Sequence, residues 1–338
     1  MISKPTIAGD SVAELGPLLS HLGADFGTLL KDVGLTAADL SGTEKRISLN
    51  AIVELLEQAA IVLRSDGLGM RIARDFPAGR TGILGYAVLS APTLRDAFKD
   101  VHRYFRLITP HQHAEFIETD TQAELVWKFS ERLAEPNTQY KTMTMAMMVR
   151  RVRLAAGPNW TPDQMILEVR RPNDLTDYIS IFGHHLQFGA ARSRMICSKD
   201  ILDLKMPGSD ARLHKLMLEL GDYRLSELEA ESDIVDRTQD QIIAMLTQGQ
   251  VTLEMVAREL GTSPRSLQRR LKDEGTTFHT VFEKTRRLLA RHYLRMRQYT
   301  LAEVAFLLGF SEQSAFTRAC RRWFDATPYE MRGRLRSD

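Results

Sequence analysis

Apolar residues recur at helical spacing over much of the first 220 positions and switch to alternation in two places. Residues 11–30 and 49–63 carry the helical period; in the second stretch Ile52, Leu55, Leu56, Ala59 and Leu63 share one face. Gly67, Gly69 and then Pro77-Ala78-Gly79 interrupt the pattern. Thr93 is placed to cap a helix through Leu94, Ala97, Phe98, Val101 and Phe105. Residues 115–119 and 125–129 read as two strands around the turn residues Asp120-Thr121-Gln122. Met143, Met147, Val149 and Val152 predict a helix that ends at Gly157-Pro158. A second strand pair is expected at 165–169 and 194–197, with a short helix over 175–182 stopped by Gly183. Acidic residues dominate 222–236, where few apolar residues offer an anchor and the lack of Pro or Ser/Gly richness predicts a helical connector. Beyond Ile234 the pattern is helical down to Arg334. The expected organisation is an α+β N-terminal domain over 1–220, an acidic connector over 221–234 and an all-α domain over 235–338.

An internal repeat gives the last domain its meaning. The heptapeptide Ala257-Arg258-Glu259-Leu260-Gly261-Thr262-Ser263 returns 48 residues later as Ala305-Phe306-Leu307-Leu308-Gly309-Phe310-Ser311. Each shared position has a physical reason in a helix–turn–helix. The alanine lets two helices cross closely, the glycine takes the positive φ of a tight turn, and Ser263 and Ser311 are expected to cap the next helix. Pro264 suits the first position of a helix, and Glu312 suits the positive end of a helix dipole. The second helices also correspond, with one extra residue in the later copy: Leu267-Gln268-Arg269 matches Phe316-Thr317-Arg318, and Leu271 matches Cys320. With Leu267 and Leu271 facing a core, Arg265, Gln268, Arg269 and Lys272 project from the opposite side, as a major-groove reading helix requires. Between the copies, Phe278, Val281, Phe282, Leu288, Leu289 and Tyr293 predict one long amphipathic helix. The all-α domain is therefore expected to hold two helix–turn–helix motifs joined by a long helix.

Charge agrees with that reading. The whole chain has a formal net charge of only +2, but residues 251–338 hold 17 Lys+Arg against 10 Asp+Glu, and 1–250 hold 28 against 33. Only the C-terminal part is suited to a polyanion, and its cations are mostly Arg, whose planar fork matches phosphates and guanine edges. A length of 338 residues suits two domains. No apolar run approaches the roughly 18 residues of a membrane span, and Met1-Ile2-Ser3-Lys4-Pro5 lacks the features of a secretory signal. Cys197 and Cys320 are too few for a disulfide framework or a four-cysteine zinc site. A cytoplasmic protein without membrane attachment is expected.

These residues carry a resemblance. Residues 235–334 resemble the DNA-binding domain of AraC/XylS-family transcription regulators. The most specific stretch is 302–319, Ala-Glu-Val-Ala-Phe-Leu-Leu-Gly-Phe-Ser-Glu-Gln-Ser-Ala-Phe-Thr-Arg-Ala, followed by Arg321-Arg322-Trp323 and Thr327-Pro328. The resemblance implies base contacts from Arg265, Gln268 and Arg269 on the first reading helix. On the second it implies contacts from Gln313, Ser314, Thr317 and Arg318. Cys320 departs from the bulky aromatic residue usual at that core position. The N-terminal part resembles the ornithine-utilisation-regulator branch through residues 82–97 and through Asp177-Tyr178-Ile179-Ser180-Ile181-Phe182-Gly183 with Gln187-Phe188. That implies an effector-sensing, dimerising domain, promoter DNA and RNA polymerase as partners, and activation as the mode of action.

The remaining candidates have plainer readings. His102, His111 and His113 lack metal-ligand spacing and are expected to be surface or hydrogen-bonded histidines; His184-His185 follow a helix-ending glycine and suit a loop. Gly82 and Gly85 do not form a phosphate loop, so no cofactor or metal is expected. The methionine-rich run 143–148 suits a helix core, with an adaptable apolar pocket as the other reading. Cys320 in a core register is expected to be a buried small hydrophobe rather than a redox sensor. Two isolated cysteines also exclude a zinc-dependent methyl acceptor, which leaves no enzymatic reading. The expectation is a sequence-specific, effector-responsive transcription activator working as a dimer. Its rival is a ligand-binding module whose helical domain mediates protein contacts. The effector-binding residues are not legible.

Overall fold

The computed structural model describes residues 5–40, 45–110, 112–130, 133–231, 234–246, 251–296 and 299–337. The chain divides into two compact units, Lys4–Ala230 and Glu231–Asp338.

The first unit mixes helices with a five-stranded sheet. It opens with β1 (Thr6–Ala8), α1 (Leu15–His21), α2 (Phe26–Asp32), β2 (Arg46–Ser48), α3 (Leu49–Val62) and α4 (Leu68–Asp75). There follow α5 (Gly82–Ser90), α6 (Leu94–Ile108), β3 (His113–Glu118), β4 (Gln122–Lys128) and α7 (Thr138–Ala156). The unit continues through β5 (Gln164–Leu167), α8 (Thr176–Phe182), β6 (Leu186–Phe188), β7 (Ser193–Ser198) and α9 (Ala211–Glu231). The sheet order is β3-β4-β7-β5-β6, antiparallel except for the parallel pair β5 and β6, while β1 and β2 form a separate antiparallel ribbon. Alternation dictates which face is buried: Ala123, Leu125 and Trp127 of β4 are enclosed and stand opposite Cys197, Met195 and Ser193 of β7. Phe116 of β3 extends that layer and meets Phe98 of α6 edge-on, with ring centres 5.5 Å apart.

Local signals act as the sequence predicts at several ends. Thr93 caps α6 by accepting the Asp96 N–H at 3.2 Å, and Gly157 and Gly183 close α7 and α8. The expected strand pair of 165–169 with 194–197 is present as antiparallel β5 and β7, and β7 also pairs with β4 on its other side. Two expectations need correction. Residues 11–30 are not one helix: the chain turns between α1 and α2 through Gly23, at φ +97°. The acidic stretch is anchored at its start, where α9 carries it as helix as far as Glu231, and Asp222 accepts the Tyr104 hydroxyl at 2.7 Å and pairs with Arg103 at 2.9 Å. Glu227 pairs with Arg224 on its own helix.

The second unit is helical throughout its described residues. It comprises α10 (Ile234–Leu246), α11 (Leu253–Glu259), α12 (Pro264–Asp273), α13 (Phe278–Arg295), α14 (Leu301–Leu307), α15 (Gln313–Phe324) and α16 (Pro328–Ser337). Its core is separate from that of the first unit and gathers Ile242, Val256, Leu267, Leu271, Leu289, Leu294, Val304, Leu308, Phe316 and Trp323. Ala257 and Ala305 are both buried, as close helix crossings require.

Candidate nucleic-acid interface

The two short helix pairs α11/α12 and α14/α15 repeat one plan. Thr252 caps α11 through the Met255 N–H at 3.3 Å; Thr300 and Glu303 cap α14 reciprocally, at 3.2 and 2.7 Å. Both first helices give way to a glycine that no other residue could replace without strain, Gly261 at φ +64° and Gly309 at φ +70°. Ser263 then caps α12, accepting the Ser266 N–H at 3.1 Å, with Pro264 in the first helical position.

At the second turn the plan changes. The extra residue of the later copy falls between Gly309 and the helix, so α15 starts one position late and its N-cap is Glu312, which makes no side-chain cap bond. Ser311 is exposed and does not cap the helix. The extra residue follows Phe310, which takes the place of Thr262, both bonding back to the buried alanine of the preceding helix, and which packs against the Phe316 and Trp323 rings at 5.7 and 6.1 Å.

Below each second helix lies the same pair of buried positions: Leu267 and Leu271, Phe316 and Cys320, all fully enclosed. Above them, Arg265, Gln268, Arg269 and Lys272 on α12 are exposed, as are Gln313, Ser314 and Arg318 on α15; Thr317 is half-buried. Arg265, Arg269, Lys272 and Arg318 form no ion pair among the described residues, and neither does exposed Arg270, which the repeat did not single out. Unpaired cations on one face keep their full charge for a polyanion. The α15 hydroxyls are partly engaged, Thr317 donating to the Gln313 carbonyl at 3.0 Å and Ser314 to the Glu312 carboxylate at 3.0 Å.

Behind α15 stands a cluster on α13 that the sequence did not reveal. Glu283 accepts from Arg322 and from the Trp323 indole N–H at 3.2 Å, and lies 3.6 Å from Arg286. Arg286 donates to the Leu308 carbonyl at 2.8 Å, and its guanidinium lies 3.6 Å from the centre of the Phe310 ring. Burial lowers the Arg286 pKa, Glu283 opposing the shift. One helix thus holds both the turn before α15 and the back of α15 itself. A Glu/Arg pair three apart is the local trace of this cluster, but its partners are about twenty to forty residues away. Burial pushes the Cys320 thiol up to about 12, which suits a packing residue and not a redox sensor.

Residues 23–206 match the arabinose-binding N-terminal domain of AraC transcription regulators, and residues 256–334 match a helix-turn-helix domain. The chain belongs to the AraC family of transcription regulators. It is 29% identical over 327 residues to the HTH-type transcriptional regulator VirS of Mycobacterium tuberculosis, covering 93% of each chain. It is 27% identical over 316 residues to the Ornithine utilization regulator of Pseudomonas aeruginosa, again covering 93% of each. The HTH-type transcriptional activator RhaS of Klebsiella pneumoniae is 32% identical over 113 residues, 32% of this chain and 41% of that one. This AraC-family chain is thus a DNA-binding regulator of transcription, from a family of regulators rather than of enzymes. No helix among its described residues is long and apolar enough to cross a membrane.

Proposed function

We propose that this regulator reads promoter DNA in the cytoplasm with two helix–turn–helix units joined by α13. Arg265, Gln268, Arg269 and Lys272 on α12, with Ser263 at its cap, supply one set of contacts; Ser311, Gln313, Ser314, Thr317 and Arg318 supply the other. The observation that carries the reading is the pair of outward faces built over equivalent buried positions, with arginines that form no ion pair among the described residues. At 18 residues, α13 spans about 27 Å. That length is near the 34–36 Å of one DNA turn.

RNA polymerase as a partner belongs to this reading; activation is supported by the activator named among its relatives, and response to a small effector by the family of the N-terminal unit. A homodimer made through that unit is supported by α9. There Leu213, Leu216, Leu220 and Tyr223 are exposed at the alternating three- and four-residue spacing of a coiled-coil seam. The opposite side of that helix is bound to its own unit through His214, Leu218 and Asp222. This spacing was available in the sequence.

The test is a gel shift on genomic fragments selected by the full chain, titrated with salt. Replacing Arg269 or Arg318 with Ala should cost about 1–3 kcal/mol on the selected site and less on random DNA. If both variants bind selected and random DNA as the parent does, the assignment of the two reading faces fails. If binding shows no salt dependence, the helical domain is a protein-contact module instead.

A further inference from the structure

The first unit encloses a cavity of about 50 Å³ between the start of the chain, α5, α6, β4 and α7. Its wall is largely apolar, with Leu84, Phe105, Trp127, Met143 and Met147 among the lining residues. Arg151 also lines it, and is only 7% exposed. Its Nε and Nη2 donate to the Ala78 carbonyl at 3.2 and 3.1 Å, and Nη2 donates to the Thr81 hydroxyl at 2.7 Å. Every one of these partners is neutral. No carboxylate pairs with Arg151 among the described residues, Nη1 has no acceptor there, and the charge acting on it is the like charge of Arg150. Burial lowers its pKa to about 10, so the guanidinium is still protonated at neutral pH.

A buried cation with no counter-charge is costly for a fold, and replacing one by an apolar side chain normally stabilises. Here the fold holds the guanidinium rigid with two neutral acceptors and leaves its remaining donors without one. We propose that this cavity is the effector site of the regulator and that Arg151 receives the carboxylate of a small apolar acid. The inference rests on the first unit being a sensing domain. The free donors are both on Nη1, and an oxygen of one anionic end can accept from it end-on in a charge-assisted bond. The remaining wall selects a compact hydrocarbon body, short aliphatic or aromatic, without further charge. Met143, Met147 and Met148 are flexible enough to widen the space around that body.

The experiment is calorimetric titration and thermal melting of the full chain with benzoate and with 3-methylbutanoate. The neutral amides, benzamide and 3-methylbutanamide, match them in shape. At least one acid should bind at millimolar concentration and raise the melting temperature, while its amide binds about tenfold to a hundredfold more weakly or not at all. Arg151→Met should lose the acid by a similar factor while melting no lower than the parent without ligand, and Met147→Phe should weaken binding by filling the cavity. The proposal is overturned if neither acid binds, if the amides bind as well as the acids, or if Arg151→Met binds the acids like the parent. The acid–amide comparison is made on the unaltered chain, so it stands even where a variant fails to fold. Salt-titrated DNA binding by the unaltered chain is measured alongside. Failure there would remove the regulator reading, whereas failure of the acids alone would remove only this site.

Discussion

Glu283 is the residue whose removal tests how the second reading helix is held. In Glu283→Ala the Trp323 indole N–H loses its acceptor, and Arg286 loses its carboxylate neighbour. The partners are unequally placed: the Arg286 side chain is 12% exposed, whereas that of Arg322 is 63% exposed and regains most of its hydration. Breaking a fully buried pair costs about 3–5 kcal/mol, but the exposed Arg322 arm contributes little of that. Arg286 also keeps its bond to the Leu308 carbonyl and its place over Phe310. The lost indole bond costs about 1 kcal/mol and the uncompensated guanidinium a further 1–2 kcal/mol, so the sum is about 2–3 kcal/mol. For a helical unit of this size that lowers its melting temperature by about 10–20 °C. Glu283→Gln keeps an acceptor for the indole and should recover about 1 kcal/mol. Calorimetry of the full chain reads the melting temperature, and hydrogen exchange read by mass spectrometry localises the change, which should concentrate in α15. A Glu283→Ala protein with the parent's melting temperature and the parent's exchange in α15 would refute the reasoning.

Two further outcomes follow from the first unit. Leu216→Glu with Leu220→Glu places like charges on the exposed seam of α9, and sedimentation should then find a monomer where the parent is a dimer; equal mass in both would place the dimer contact elsewhere. Burial raises the Glu57 carboxyl above its ordinary value although it accepts the Gln139 N–H at 2.8 Å. Its ionisation therefore weighs against the fold, not at all below the usual carboxylate range and fully once the pH has passed the raised value. Denaturant melts should show Glu57→Gln at least as stable as the parent at neutral pH, with that advantage shrinking as the medium turns acidic; a variant that loses stability at neutral pH contradicts the sign.

What the sequence made legible was whatever is written locally. Leu267 and Leu271, Phe316 and Cys320 are four apart, and all four are buried as that spacing requires. Gly261 and Gly309 turn the chain where the repeat placed them. Of the two readings for His102, surface or hydrogen-bonded, the second applies, its Nδ1 lying 3.0 Å from the Ala114 carbonyl; His111 lies outside the described residues. Misreadings arose where one residue shifts a frame or where a partner is far away. The extra residue between Phe310 and α15 moves the cap from Ser311 to Glu312, which aligned serines conceal. The strand β6 is three residues long and gains its place by pairing with β5. The start of the acidic segment looked unanchored because its anchor, Tyr104, lies 118 residues before Asp222. The methionine run serves both as core and as pocket wall: Met145 is fully enclosed, while Met143, Met147 and Met148 line the cavity beside Arg151.

The two reading helices share a foundation and differ in what they offer outward, and the difference sets a last expectation. On α12, Arg265, Arg269, Arg270 and Lys272 are all exposed and unpaired among the described residues. On α15 the outward face carries two exposed cations, Arg318 and Arg321; Ser314 and Thr317 have already committed their hydroxyl protons to Glu312 and Gln313. Arg322, the nearby alternative, is held by Glu283. Counter-ion release scales with the number of phosphates neutralised, so the salt dependence of DNA binding should reside mainly in α12. Replacing Arg269 and Lys272 together with Ala should reduce the slope of log affinity against log salt by about 2, and Arg318→Ala by about 1 or less. Gln313 and Arg318 would then contribute chiefly to base choice, so Arg318→Ala should relax the preferred sequence at its own subsite while leaving non-specific binding almost unchanged. Equal slope losses from the α12 pair and from Arg318 alone would mean that exposed charge does not determine which helix grips the backbone.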